Sequence, residues 1–397
     1  MTDALRLLAA SSPGEVRVAL VRGASLLAYA IERPGAPDGV GDVHRGRIAA
    51  RRPALGGSFV ALDRSGAGGG AFGGDAPGGG AQAGGVQGFL PDSEGALGLA
   101  EGALLGVRVV RAAQGGKGPR LTARLEPGQA AASAEGKVRL VARGPGALER
   151  MARAHPGAAI ETDDAALAAT LAKIGRELRA EGVAVVARAF PDVLEAEIEG
   201  LGEPGVALPG GLRASIHPTP ALVAIDVDSG PASNARTPKP VAQREANRAA
   251  LPALVRQMVL RNLSGAILVD LAGMAAKKRA ALGPELAAAL RADPLGARLL
   301  GFTALGLAEI VRARVHPPLH EVLAGPHAAG LLALRQVARA VAAEPGPVRA
   351  LRAAPDVVAA LQADPVALGD LARRSGRALI LRSDPAMGPG GWAMEAL

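Results

Sequence analysis

The chain has 397 residues and a net charge of +8 at pH 7, from 45 Lys and Arg residues against 37 Asp and Glu residues. It has no cysteine, which excludes disulfide bonds, iron–sulfur clusters and thiolate-bound zinc. It has no apolar run of roughly 18 residues and no signal-peptide pattern at Met1–Ala10, so we expect a cytoplasmic protein without a membrane anchor. The excess of arginine reflects either a compositional bias or the electrostatic footprint of a polyanionic partner.

The first part of the chain predicts short β-strands joined by turns. Residues 15–31 predict a hairpin, and alternating patterns at 43–62, 88–91 and 107–110 predict a small β-barrel. Within this region, eleven of the twenty residues at 66–85 are glycine, which predicts a disordered loop. The alternative, a glycine-rich phosphate cradle, lacks the Lys-Ser/Thr signature and the following helix that this motif requires.

The rest of the chain predicts alternating helices and strands, which is typical of α/β structure. Residues 305–314 fit either a strand or a helix. The predicted helices are 161–182, 194–198, 241–262, 284–292, one that begins at about 330, and 355–375. The predicted strands and extended segments are 183–187, 222–227, 266–271, 301–303, 348–353 and 378–381.

Two acidic residues lie at the ends of apolar strands. Asp226 follows Leu222–Ile225, and Asp270 follows Ala266–Val269, 44 positions later with a predicted helix between them. A right-handed crossover brings such strands together, so the two carboxylates would converge. Converging carboxylates bind a hard cation such as Mg²⁺, which activates water and stabilises a phosphodiester transition state. The alternative is that each aspartate only ends its strand and caps a turn.

Four segments around these aspartates resemble the ribonuclease E/G family. Residues 208–230, which include Ile225-Asp226-Val227-Asp228-Ser229-Gly230, resemble the family's gly-gly strand and its IDVNSG motif. Residues 245–250, with Asn247, resemble TNLEAA; residues 256–270 resemble RQLRLRDLGGLIVIDF; and residues 303–314 resemble SRFGLLEMSRQR. Because their order and spacing agree, the chain resembles a short, cysteine-free member that matches the family's catalytic core.

The resemblance implies particular functional residues. Asp226 and Asp270 would bind Mg²⁺, with Mn²⁺ as an alternative, and Asp228 would act beside the metal where the family usually has Asn. Residues 44–48, 58–62, 88–91 and 117–122 resemble the family's embedded RNA-binding barrel. The RNA contacts implied in this way are Phe59, Phe89, Lys117, Arg312 and Arg314. For the two arginines, a solvated face is an equally good interpretation.

Three departures from the family pattern limit what the resemblance implies. The cysteine-based zinc link between subunits is absent, so no zinc is expected, and a homodimer would form without that link. The segment that senses a 5′-monophosphate has no clear counterpart between Leu121 and Asp226, so this sensor is expected to be reduced. The family's second acidic residue after Asp270 is Gly273 here, which is expected to weaken the metal network.

The resemblance therefore implies an α/β multidomain fold. Residues 1–40 and 130–205 would form an RNase-H-like region with a reduced 5′ sensor, and residues 41–128 an OB-type RNA-binding barrel. Residues 206–325 would form a deoxyribonuclease-I-like catalytic domain, and residues 326–397 a small C-terminal α/β domain. The implied function is Mg²⁺-dependent endonucleolytic cleavage of single-stranded RNA in RNA processing or decay. The alternative is a catalytically weak or inactive member that binds RNA without cutting it.

Overall fold

A computed structural model of the protein describes residues 4–63, 86–178, 182–229, 239–344 and 349–396. The loop predicted at 66–85 lies outside the described residues. In chain order the strands are β1 (Leu5–Ser12), β2 (Glu15–Arg22), β3 (Ser25–Glu32), β4 (Val43–Arg52), β5 (Gly57–Leu62), β6 (Val86–Pro91), β7 (Leu104–Arg111), β8 (Arg120–Thr122), β9 (Arg139–Ala142), β10 (Ala159–Thr162), β11 (Val183–Val185), β12 (Gly205–Leu208), β13 (Leu212–Pro218), β14 (Val223–Ser229), β15 (Gly265–Asp270), β16 (Arg298–Phe302), β17 (Ala308–Arg312), β18 (Arg349–Ala353), β19 (Ile380–Ser383) and β20 (Trp392–Ala396). The α-helices are α1 (Pro127–Ala132), α2 (Ala147–Ala154), α3 (Ala165–Leu178), α4 (Asp192–Gly200), α5 (Lys239–Leu260), α6 (Ala276–Ala280), α7 (Gly283–Leu290), α8 (Leu319–Val322), α9 (Gly325–Ala343), α10 (Pro355–Gln362) and α11 (Pro365–Ser375).

The N-terminal sheet has the strand order β3-β2-β1-β10-β11. Strands β1, β2 and β3 form an antiparallel meander, which confirms the hairpin predicted at 15–31, and β10 and β11 add parallel strands beyond β1. The sheet is apolar on both faces. Leu7 and Leu20 pack against α2 and α3, whereas Leu8 and Leu26 pack against Phe190 and α4. Helices therefore cover both of its faces.

The predicted small barrel is confirmed as a closed ring of five strands. Strand β5 pairs with both β6 and β4, so the order β4-β5-β6-β8-β7 closes on itself. Its interior is filled by apolar side chains that alternate with outward-facing residues, among them the fully buried Ile48, Val60, Leu90 and Leu121. Strand β9 extends this sheet by pairing with β4.

The sheet that carries the two aspartates has the order β12-β13-β14-β15-β17-β16. Its only parallel pair within the described residues is β14 with β15, which the long helix α5 connects. Ile225 and Val269 pack with Leu254 of α5 and Leu286 of α7 on one face. On the other side of α5, Arg256 donates a 2.6 Å hydrogen bond to the carbonyl of Leu26 in the N-terminal sheet. Helix α5 thus joins the two sheets.

The C-terminal sheet has the order β19-β18-β20 and shares one core with α9, α10 and α11. Ion pairs connect it to the N-terminal sheet. On α9, Arg335 pairs with the buried Glu15 and Arg339 pairs with the buried Glu195. A further bond of 2.7 Å joins Arg374 to Asp164.

Several predicted elements differ from those observed. The helix predicted at 161–182 begins only at Ala165, because residues before it form β10 and Asp164 accepts a 2.8 Å hydrogen bond from the Leu167 amide as a helix cap. The helix predicted at 355–375 is two helices, since Asp364 caps α11 by accepting from the Ala367 amide at 3.0 Å. Residues 305–314 contain a strand rather than a helix. The strands that the sequence pattern did not predict include β1, β8, β9, β10, β12 and β20.

Candidate functional site

Asp226 and Asp270 lie directly opposite each other on the parallel strands β14 and β15. The preceding residues, Ile225 and Val269, are also opposed and are buried on the helix-covered face. Because side chains alternate along a strand, both carboxylates project from the opposite, polar face. Neighbouring strands lie about 4.8 Å apart, which brings the two carboxylates within reach of one cation.

Asp228 lies on the same face, two residues after Asp226. The pKa of Asp226 is raised, first by partial desolvation and then by the negative charges of Asp228 and Asp270, together with a hydrogen bond to Asp228. His217 on the neighbouring strand β13 has the opposite, smaller effect. The three carboxylates therefore create a negative local potential that favours a bound cation.

Asp270 forms an ion pair but accepts no hydrogen bond at the oxygen involved. The guanidinium of Arg279 forms an ion pair with Oδ1 of Asp270. The same oxygen is buried and accepts no hydrogen bond of good geometry. A buried carboxylate oxygen without a hydrogen-bond donor is costly unless another positive group binds it.

The turn that follows β15 is fixed by a buried amide. Asn247, which is 1% exposed on α5, donates a 3.0 Å hydrogen bond to the carbonyl of Ala272 and accepts a 3.1 Å bond from the amide of Ala272. Gly273 has a left-handed backbone, with φ of 61°. A Cβ atom there would lie 2.3 Å from Nε2 of Gln243. The side chain of Gln243 therefore occupies the space that a side chain at position 273 would need.

The barrel carries a row of outward-facing residues across four strands. Phe59 on β5 is opposite Phe89 on β6, and their rings meet edge to face with centroids 5.7 Å apart. Phe89 is in register with Arg120 on β8, which is in register with Arg111 on β7. All four side chains are half-buried. We call this row the barrel stripe.

Lys117 lies in the exposed turn between β7 and β8, next to the barrel stripe. The amide of Gly115 in this turn donates to both carboxylate oxygens of Glu321 on α8, at 3.0 and 3.2 Å. The turn is therefore held against the segment that follows β17, with Lys117 accessible.

Arg314 lies where the barrel meets the sheet that carries the two aspartates. Next to it, the amide of Ala112 donates a 2.8 Å hydrogen bond to the carbonyl of Val315, which joins the end of β7 to the segment after β17. The pKa of Arg111 is lowered, first by burial and then by the positive charges of Arg120 and Arg314. In the described parts of the chain, none of these three arginines pairs with a carboxylate. We call them the seam arginines.

Arg312 lies in a different environment from the one predicted for it. Its guanidinium is 2% exposed and binds Asp293 at 2.9 Å, and it also donates to Asn262 Oδ1 and to the carbonyl of Leu263. Each of its three guanidinium nitrogens donates to a protein acceptor. The structure therefore does not present Arg312 to RNA, and its role is to join β17 to the loop after α7.

Metal binding at the carboxylates would need ligands from outside the protein. In the residues that the structure describes, no cluster of three or more histidine, aspartate or glutamate side chains has metal-binding geometry. Mg²⁺ is commonly bound by one or two carboxylates, with waters and substrate phosphates as its other ligands. The opposed Asp226 and Asp270, with Oδ1 of Asp270 accepting no hydrogen bond, fit that mode of binding.

Sequence reasoning missed several residues that the structure brings to this region. Arg279, Arg111 and Arg120 carry no motif of their own, and only their positions in the fold bring them to the carboxylates or the seam. In the sequence, they were recognisable only because they lie near residues with a predicted role: Arg111 and Arg120 near Lys117, and Arg279 near Asp270. Among the described residues, no helix is long and apolar enough to cross a membrane.

Comparisons with known proteins give one family. Residues 159–315 match the model of the Ribonuclease E/G family. Ribonuclease E of Nostoc sp. is 34% identical over 121 residues, which are 30% of this chain and 18% of that protein. The Ribonuclease E/G-like chloroplastic protein of Arabidopsis thaliana is 33% identical over 143 residues, 34% of this chain and 14% of that protein. Ribonuclease E of Escherichia coli is 32% identical over 129 residues, 32% of this chain and 12% of that protein.

The aligned regions thus span less than a fifth of these relatives, at most 18% of their length. The matched residues 159–315 contain strands β14 and β15 with both opposed aspartates, and the segment up to Val315 at the barrel seam. Residues 159–315 therefore match the ribonuclease E/G family, and the chain is similar over part of its length to the ribonucleases named above.

Proposed function

We propose that the protein is an endoribonuclease that cleaves single-stranded RNA by Mg²⁺-assisted phosphodiester hydrolysis at Asp226 and Asp270. The observation that carries this proposal is the direct register of the two aspartates on parallel strands, on the polar face of a sheet within the family match. The family match supports the endonuclease class. The metal and the role in RNA processing or decay are part of the proposal.

The order of strands supports the proposed domain architecture. The sheet order β3-β2-β1-β10-β11, with only β2 antiparallel to its neighbours, fits an RNase-H-like region. The closed five-stranded barrel inserted between β3 and β10 fits an OB-type domain. The mixed six-stranded sheet with α5 and α7 on one face fits the deoxyribonuclease-I-like catalytic domain.

In this proposal the barrel stripe and the seam arginines bind the RNA strand. The edge-to-face rings of Phe59 and Phe89 offer a stacking surface, which is worth about 1–3 kcal/mol per stacked base. Lys117 and the seam arginines supply positive charge for phosphates. The seam arginines have no competing carboxylate among the described residues. These basic residues lie between the outer face of the barrel and the sheet that carries the aspartates.

At the sheet that carries the aspartates, the protein's own side chains would hold the metal ion and set the charge around it. A bound Mg²⁺ would supply an activated water and stabilise the charge on the phosphodiester. Asp226 and Asp270 would hold the ion, and Asp228 would add negative charge beside it. Asn247 keeps the turn after Asp270 in one conformation through its two hydrogen bonds to Ala272.

The second candidate function is RNA binding without efficient cleavage. Two observations favour it: Gly273 stands where the family has a second acidic residue, and Arg279 already neutralises Asp270. Both would weaken metal binding and leave the barrel surface unchanged. The two functions therefore predict similar RNA affinity and different turnover.

A cleavage assay separates the two functions. The purified chain is incubated with a 3′-labelled, A/U-rich single-stranded RNA in Mg²⁺ and in EDTA, beside a variant with Asp226→Asn and Asp270→Asn. The proposal expects internal cleavage in Mg²⁺ by the parent and none by the variant, with equal RNA binding measured in EDTA. Binding without Mg²⁺-dependent cleavage would favour the second function. Cleavage by the double variant would refute the assigned site.

A further inference from the structure

Arg279 is held beside the candidate metal site by the fold of its surroundings. It lies on the short helix α6, and its side chain is 16% exposed. The turn 303–307 packs on that helix: Gly306 has φ of 84°, and a Cβ atom there would lie 2.7 Å from Cα of Ala276 and 3.3 Å from Cδ of Arg279. A side chain at position 306 would displace the helix, so this close approach keeps Arg279 near β15.

The contact between Arg279 and Asp270 is electrostatic and incompletely satisfied. The two side chains form an ion pair, yet Nε of Arg279 and Oδ1 of Asp270 are both buried without a hydrogen-bond partner. Arg279 has no ion pair with any other described carboxylate. The carboxylate that it faces shares one face of the sheet with Asp226 and Asp228. Its position therefore has the properties of a counter-ion.

From these contacts we propose that Arg279 is a tethered cation that competes with the divalent metal ion for Asp270. This inference rests on the metal site of the proposed function. A metal ion between Asp226 and Asp270 would bind the carboxylate whose Oδ1 Arg279 now faces, and its charge would repel the guanidinium. Metal binding then displaces Arg279 from Asp270 and leaves a guanidinium beside the site, where a phosphate of the substrate can accept from it.

The competition predicts a measurable increase in metal affinity when Arg279 is neutralised. A +1 and a +2 charge about 5 Å apart repel by about 1.7 kcal/mol even at the dielectric constant of water, which corresponds to more than about tenfold in affinity. The substitution Arg279→Gln should therefore tighten binding of Mn²⁺ at least about tenfold. Arg279→Lys keeps the charge and should bind Mn²⁺ as weakly as the parent.

The experiment measures Mn²⁺ binding to the full chain without RNA, by isothermal titration calorimetry and by the electron paramagnetic resonance signal of free Mn²⁺. Lys277→Gln is the matched control, because it removes one positive charge from the same helix at an exposed position without an ion pair among the described residues. Arg279→Met is measured as well, in case the glutamine variant does not fold. Methionine keeps an aliphatic side chain that can pack against Gly306. Asp270→Asn is combined with Arg279→Gln to close a double-mutant cycle.

The outcomes distinguish the inference from the proposed site. Tighter binding in Arg279→Gln or Arg279→Met, unchanged binding in Lys277→Gln, and no effect of Arg279 in the Asp270→Asn background support the competition. Unchanged Mn²⁺ affinity in both Arg279 variants, with binding still lost in Asp226→Asn/Asp270→Asn, overturns the competition and leaves the site. Mn²⁺ binding that is independent of both aspartates in every variant overturns the site itself.

Discussion

Arg312 and Arg314 are two residues apart, and the structure predicts opposite consequences of replacing them. Arg312→Gln removes the guanidinium from Asp293, in a pair whose side chains are 2% and 1% exposed. Three hydrogen bonds to Asp293 are lost, and the bonds to Asn262 and Leu263 with them. Breaking one side of a buried ion pair costs about 3–5 kcal/mol, because a charge stays buried without a partner. We expect the free energy of unfolding to fall by that amount.

Arg314→Gln should have little effect on stability, within about 0.5 kcal/mol, because its guanidinium has no carboxylate partner among the described residues. Its effect should appear in RNA binding. Loss of one phosphate contact lowers the slope of log affinity against log salt by about 0.7 for a single strand. Arg312→Gln, measured below its unfolding transition, should keep the parent slope.

Two measurements test this contrast: urea unfolding followed by circular dichroism, and fluorescence anisotropy of a labelled single-stranded RNA across a salt series in EDTA. Adding Asp293→Asn to Arg312→Gln should recover part of the lost stability, since it removes the uncompensated charge while an amide oxygen can still accept from Ala297. The reasoning fails if Arg312→Gln unfolds like the parent and weakens RNA binding, or if Arg314→Gln changes stability and leaves the salt slope unchanged.

Three further predictions follow from single residues. Phe89→Ala should weaken RNA binding by about 1–3 kcal/mol at constant salt slope, because stacking carries no charge, and an unchanged anisotropy titration would contradict this. Asn247→Ala should lower stability in urea by about 1–3 kcal/mol, since it leaves the buried amide and carbonyl of Ala272 unpaired. Equal unfolding midpoints would argue against a stabilising role of these two hydrogen bonds. Burial opposes ionisation of Asp364, but hydrogen bonds from His327 and Ala367 outweigh it and lower its pKa, so its stabilisation is present at neutral pH and is lost as pH falls below about 4. Asp364→Asn should therefore flatten the decrease of Tm between pH 5 and 3, and parallel Tm curves for the two proteins would exclude this role.

The sequence predicted the position of the two aspartates because their signal is local. Each follows a buried apolar strand, and a crossover helix of matching length lies between them, so parallel pairing put Asp226 opposite Asp270. The barrel was predictable for a similar reason, since alternating short strands with turns specify it. The small strands β9 and β12 have only four residues each, too few for an alternating pattern to be distinguished from a turn.

The ion-pair partner of each arginine was not predictable, because it lies elsewhere in the sequence. Arg312 continues the alternation of Ala308 and Ile310 toward the core, so a buried side chain was visible in the strand pattern. Its partner Asp293 lies 19 residues away, in the loop after α7. The pairing of Arg279 with Asp270 likewise depends on the turn that carries Gly306.

The arginine excess of this chain has two explanations, compositional bias and a polyanionic partner, and the partners of individual arginines separate them. Arg17 and Arg312 are buried and bind the carboxylates of Glu195 and Asp293, so their charge is used within the fold. The seam arginines Arg111, Arg120 and Arg314 come together from three segments. Burial first, and then the positive charges of Arg120 and Arg314, lower the pKa of Arg111, and none of the three pairs with a carboxylate among the described residues. A bias in composition gives no reason for such charges to gather where the barrel meets the sheet that carries the two aspartates. We therefore propose that a bound polyanion meets the positive charge of the seam.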